Sequence, residues 1–91
     1  MTFKEYITLY KIPIGTTTIE CRDLGITDLI GINDFTNLER LDVNGNLISE
    51  IPSLENLTKL KYFYCGRNDL HELPLLSNSI PILIKFPIVN G

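Results

Sequence analysis

Residues Leu38 to Lys59 read LERLDVNGNLISEIPSLENLTK, and the residues that follow, Leu60 to Ser79, read LKYFYCGRNDLHELPLLSNS. Superposed at a spacing of 22 they agree column by column: Leu38 on Leu60, Leu41 on Phe63, Val43 on Cys65, Asn46 on Asn68, Ile48 on Leu70, Ile51 on Leu73 and Leu54 on Leu76. Shifting back by the same spacing finds a third copy in Ile19, Cys21, Ile26, Leu29, Ile32 and Phe35, with Leu24 in the asparagine column. Across seven apolar columns and three copies, 19 of 21 cells are apolar, Thr16 and Ser79 being the exceptions, in a chain that is 44% hydrophobic. A fixed period of this size marks a chain of stacked structural units.

The columns dictate a local geometry. Each copy opens with a strand in which side chains alternate faces. Strands are expected near 17–22, 39–44 and 61–66. Leu41 and Val43 then point inward with Phe63 and Cys65, while Arg40, Asp42, Asn44, Tyr62, Tyr64 and Gly66 point outward. The chain must turn at Asn46 and Asn68, where a carboxamide can answer backbone groups that the turn leaves unpaired. The return arm carries Ile48, Ile51, Leu54 and Leu57, and steps of three suit 3₁₀-like turns better than a long helix. Pro52 and Pro74 fall one period apart and fit tight turns.

The pattern LERLDVNGNLI followed by LKYFYCGRNDL resembles the leucine-rich repeat, LxxLxLxxNxL. The period, with LxxL running on through IPSLENLTKL, is similar to the short subclass found in bacterial internalins and phosphatase-regulatory leucine-rich repeat proteins. TTTIECRDLGITDLIGINDFTNL also looks like the first repeats of bacterial members. The resemblance covers about residues 16–77. It implies an α/β solenoid with a parallel sheet on its concave side and a 3₁₀ or extended convex side. It also implies an inward ladder formed by Asn46 and Asn68.

Three repeats over 16–79 sit at the usual minimum for a stable array, so the ends matter. Thr2-Phe3-Lys4-Glu5 fits a capping box, with Phe3, Tyr6, Ile7 and Tyr10 at helical spacing. Residues 1–15 are therefore expected to hold a short capping helix, broken at Pro13 and Gly15. Residues 80–91 read two ways. A fourth repeat at the same spacing would put Lys85 and Pro87 in core columns, whereas a one-residue slip would put Ile84 and Phe86 there and lose the asparagine. The segment IPILIKFPIV fits an edge strand guarded by Pro and Lys, and equally the stub of a longer array.

Composition excludes some functions. Eight basic and eleven acidic residues give a net charge of −3, against the basic face that nucleic-acid binding requires. The longest apolar stretch is about half the length needed to cross a bilayer. The N-terminus has no secretory pattern, so a complete chain would be expected in the cytoplasm. Cys21 and Cys65 share one inward column two repeats apart, roughly 10 Å by strand spacing, too far for a disulfide and with no metal motif. Both are expected as free, buried thiols. The sole histidine, His71, falls on the outer arm. There is no GxSxG, HExxH or P-loop, and Glu20, Glu39 and Asp42 are interleaved with Arg22, Arg40 and Lys61. Asn56-Leu57-Thr58 has the form of a glycosylation sequon, a motif that arises often by chance. No enzyme, cofactor, metal, nucleic-acid or membrane role is expected.

The candidate binding residues are those of the concave face: Arg22, Arg40, Asp42, Asn44, Tyr62, Tyr64 and Arg67, beside Glu39. Exposed tyrosine and arginine are what protein interfaces concentrate. The expected function is recognition of another protein by this face, with Tyr62 and Tyr64 as anchors. Two alternatives stand beside it: a structural segment of a longer array, and the substrate-recognition module of an enzyme whose catalytic domain lies elsewhere. Self-association through uncapped ends is a further expectation.

Overall fold

In the computed structural model, residues 1–72 and 74–77 are described in full, together with the backbone of residues 83–85. The elements in chain order are helix α1 (Phe3–Leu9), strand β1 (Thr18–Glu20), a 3₁₀ turn (Ile32–Asp34), and strands β2 (Arg40–Asp42), β3 (Tyr62–Tyr64) and β4 (Leu83–Lys85). The strands form one parallel sheet in the order β1-β2-β3-β4.

The period is visible in the register. Ile19 pairs with Leu41 and Leu41 with Phe63, each partner 22 residues on. On the return arm, Leu54 bridges Leu76 at the same offset. The strands are three residues long, shorter than the segments expected from the alternation. The hydrogen-bond ladder nevertheless runs past their ends: Cys21 N–H donates to the Asp42 carbonyl at 2.9 Å, Val43 to Tyr64 at 2.8 Å, and Gly45 to Gly66 at 2.9 Å. Strand β4 breaks the period, since Phe63 pairs with Ile84, 21 residues on. The full offset would have set Lys85 in a column of buried apolar residues, where an unpaired charge is costly. Apart from this backbone register, the two readings of residues 80–91 lie outside the described residues, as do Leu73 and Ser79.

The core is the stack of inward columns. Ile19, Leu41 and Phe63 are buried, as are Cys21, Val43 and Cys65, and Ile26 with Ile48. Leu29, Ile32, Phe35, Leu38, Leu54, Leu57 and Leu60 complete it. Ile51, Leu70 and Leu76 pack on this cluster half-buried. The return arm is closed by bonds three residues apart, such as Leu57 N–H to the Leu54 carbonyl at 3.0 Å and Leu60 N–H to Leu57 at 3.2 Å.

Helix α1 covers the first repeat. Its capping box is complete: Thr2 Oγ1 accepts from Glu5 N–H at 3.1 Å, and Glu5 Oε1 accepts from Thr2 N–H at 2.7 Å. Phe3 and Tyr6 are buried, and the Phe3 ring meets Phe35 edge-on with centroids 5.9 Å apart. The helix ends before the Pro13–Gly15 break expected for it. Lys11 takes a left-handed φ of 53°, Ile12 N–H bonds the Ile7 carbonyl at 3.0 Å, and Lys11 N–H bonds Thr8 at 3.3 Å. That pair of bonds is the Schellman termination. It leaves Tyr10 outside the core, half exposed, although its spacing placed it with Phe3 and Tyr6. The segment before the helix is pinned as well: Thr27 N–H donates to the Met1 carbonyl at 2.9 Å, and Phe3 N–H to Asp28 Oδ1 at 3.3 Å.

Candidate functional site

The outward side of β1, β2 and β3 forms a surface whose side chains engage one another before any partner arrives. Arg40, at the centre, donates from Nε to Glu20 Oε2 at 3.2 Å. Its guanidinium lies over the Tyr64 ring at 4.8 Å from the centroid, with Nη1 3.4 Å from the Tyr64 hydroxyl. Bonds to Tyr64 and Glu20 hold the guanidinium protonated above its usual range. Arg40 and Tyr64 are therefore half-buried against each other, whereas Tyr62 is 41% exposed and carries the free aromatic surface.

Asp42 departs from the expectation that it faces solvent. It is buried, its Oδ1 accepting from Asn44 N–H at 3.1 Å and its Oδ2 lying 3.6 Å from Arg22 Nε. A carboxylate with that much of its surface covered can offer little to a partner, so its role is to hold the strand end and orient Arg22. Asn44 is also engaged, its Oδ1 accepting from Gly66 N–H. Arg67 stays exposed and reaches Asp23 Oδ1 at 3.3 Å. Glu39 and Lys61 contribute backbone bonds between strands, Lys61 N–H donating to the Glu39 carbonyl at 2.8 Å.

Beneath this surface, Asn46 and Asn68 support the turns. The Asn46 carboxamide accepts from Leu24 and Ile26 N–H, both at 3.0 Å, and donates to the Cys21 and Val43 carbonyls, both at 2.8 Å. Asn68 repeats the arrangement one unit later, accepting from Ile48 N–H at 3.0 Å and donating to Val43, Cys65 and Gly66 carbonyls. Each asparagine thus ties its own turn to the preceding one, which fixes the spacing of the concave strands.

One column had gone unread in the sequence. Asp23, Gly45 and Arg67 sit 22 residues apart, and all three have left-handed backbones, with φ of 55°, 73° and 52°. A Cβ at Gly45 would overlap the Asp23 carboxylate and crowd Arg67. The signal was the spacing alone, since three different residue types fill the column.

Cys21 and Cys65 are free and buried, and burial pushes both thiols up to about 12, with the Asp42 charge adding to the effect at Cys21. Thiols held protonated are poor nucleophiles. His71 is exposed. Among the described residues no group of three His, Cys, Asp or Glu side chains could hold a metal ion, and no helix is long and apolar enough to cross a membrane.

Residues 36–78 are matched by the family model described as leucine rich repeats, in two copies. This stretch, which spans β2, β3 and the turns between them, is a leucine-rich repeat segment. Such repeats are in general protein-interaction modules and typically non-catalytic. Neither the comparison with curated proteins nor that with solved structures gives a match.

Proposed function

We propose that this chain is a protein-recognition module whose partner docks on the concave face, with Tyr62 as the anchor and Arg22 and Arg67 setting orientation. The observation that carries this reading is the exposure of Tyr62 beside the Arg40–Tyr64 stack: a free aromatic face next to one already held rigid. Exposed aromatics beside ordered arginines are where binding energy concentrates, because the ring presents large apolar area at small entropic cost. Tyr64 and Arg40 stiffen the platform, and Asp42 and Asn44 shape it from below.

The proposal takes the array as three repeats over 16–79 of the short, 22-residue, internalin-like kind, with residues 1–15 as a cap and a 3₁₀ or extended convex side. The constant offset of the β1, β2 and β3 registers supports this, as does the 3₁₀ turn at Ile32–Asp34.

A photo-crosslinking residue placed at position 62 tests the reading. It should capture a partner from cell extract that the same residue at exposed Glu55, on the return arm, does not. Equal capture from both positions, or capture from position 55 alone, would overturn the concave-face assignment.

A further inference from the structure

A recess lies at the junction of α1 and β1, away from Tyr62. It has a volume of about 480 Å³ and is lined by Tyr6, Tyr10, Glu20, Arg22 and Leu24. The Tyr6 and Tyr10 rings stand 5.0 Å apart at 41°, forming an aromatic corner. Tyr6 is 5% exposed, and its hydroxyl, which no described residue bonds, keeps its contact with solvent. That hydroxyl can accept from a donor that enters the recess. Tyr10 is half exposed and lines the recess.

The recess holds one carboxylate and one guanidinium, and the carboxylate keeps an open acceptor. Glu20 gives one carboxylate oxygen, Oε2, to Arg40. Its Oε1 has no partner among the described residues, and its side chain is 53% exposed. Arg22 also lines the recess, with its Nε turned to Asp42 at 3.6 Å. The chain as a whole carries −3.

We propose that this recess binds an arginine side chain of a partner protein. The guanidinium plane lies against the Tyr10 ring and donates to Glu20 Oε1 and to the Tyr6 hydroxyl. Arginine fits because it stacks on aromatic faces and offers several donors in one plane.

The test is an NMR titration of the full ¹⁵N-labelled chain with three capped tripeptides, Gly-Arg-Gly, Gly-citrulline-Gly and Gly-Glu-Gly. The arginine peptide should give saturable shifts at Tyr6, Tyr10, Glu20 and Leu24. Tyr10→Ala, whose side chain lies outside the core, should weaken that binding by about two- to fivefold. Tyr62→Ala should leave it unchanged, which separates this site from the concave-face reading. Equal shifts from the citrulline peptide, shifts from the glutamate peptide alone, or no shifts at these residues would overturn the proposal.

Discussion

Arg67 reaches across Gly45 to Asp23, its Nη2 lying 3.3 Å from Asp23 Oδ1. The first and third turns of the array thereby meet over the second, and the contact exists because position 45 has no side chain. Two costs converge on Gly45→Ala: the left-handed φ of 73°, which disfavours any Cβ, and the overlap with the Asp23 carboxylate. The substitution should destabilise the chain by about 1–3 kcal/mol in urea unfolding. Asp23→Ala in the same chain should restore part of that loss by removing the overlap. Asp23→Ala alone should cost less than about 1 kcal/mol, because both members of the ion pair are exposed. A Gly45→Ala protein as stable as the parent would mean that this turn has a different backbone.

Asn46→Ala should be more damaging than Asn68→Ala. Asn46 is buried and its carboxamide answers the Leu24 and Ile26 N–H groups and the Cys21 carbonyl, which would lose this partner, and the Val43 carbonyl, which would keep Asn68. Orphaned buried backbone groups cost about 1–3 kcal/mol each, so about 3 kcal/mol or more is expected in total. Asn68 is half-buried, and water can replace part of what it supplies. Thermal unfolding of the two variants side by side gives the order, and the reverse order would contradict the ladder.

Leu41 occupies the middle of the innermost column, between Ile19 and Phe63. Leu41→Ala empties a fully buried position and should cost about 2–5 kcal/mol. That is a large part of the stability of a small domain. Near-parental unfolding of this variant would place the register elsewhere.

The two thiols predict an alkaline dependence of stability. Burial raises both from the usual value of 9.0 to about 12, so the folded chain holds these protons more tightly than the unfolded one. Their contribution is present in full below about pH 9 and is lost as pH rises towards 12. Unfolding free energy should therefore fall over that window, and a Cys21→Ala, Cys65→Ala double variant should show a shallower fall. In the native state at pH 8 neither thiol should react with a maleimide, while both should do so in urea. Rapid native labelling would show that the column is open.

The sequence made the repeating parts legible and left the exceptions hidden, for physical reasons. Columns that bury apolar side chains keep one chemistry at each recurrence, so Leu38 with Leu60, Leu41 with Phe63 and Val43 with Cys65 declared themselves. The capping box was legible because its bonds run between residues three apart. The Asp23–Gly45–Arg67 column was not, because a backbone angle can recur without any residue recurring. Alternation placed Asp42 outward, but its burial depends on what closes over it, here the Arg22 side chain and the Asn44 backbone. The Arg40–Tyr64 stack joins neighbouring strands diagonally, a pairing that a column-by-column alignment does not display.

The central claim is that the concave face recognises a protein through Tyr62. Its most direct test is the affinity of Tyr62→Ala, measured by calorimetry against the partner captured at that position, with Glu55→Ala as the control. The account predicts at least about tenfold weaker binding for Tyr62→Ala, an unchanged value for Glu55→Ala, and unaltered thermal stability for both. Unchanged affinity for Tyr62→Ala, with the partner still bound, would contradict it.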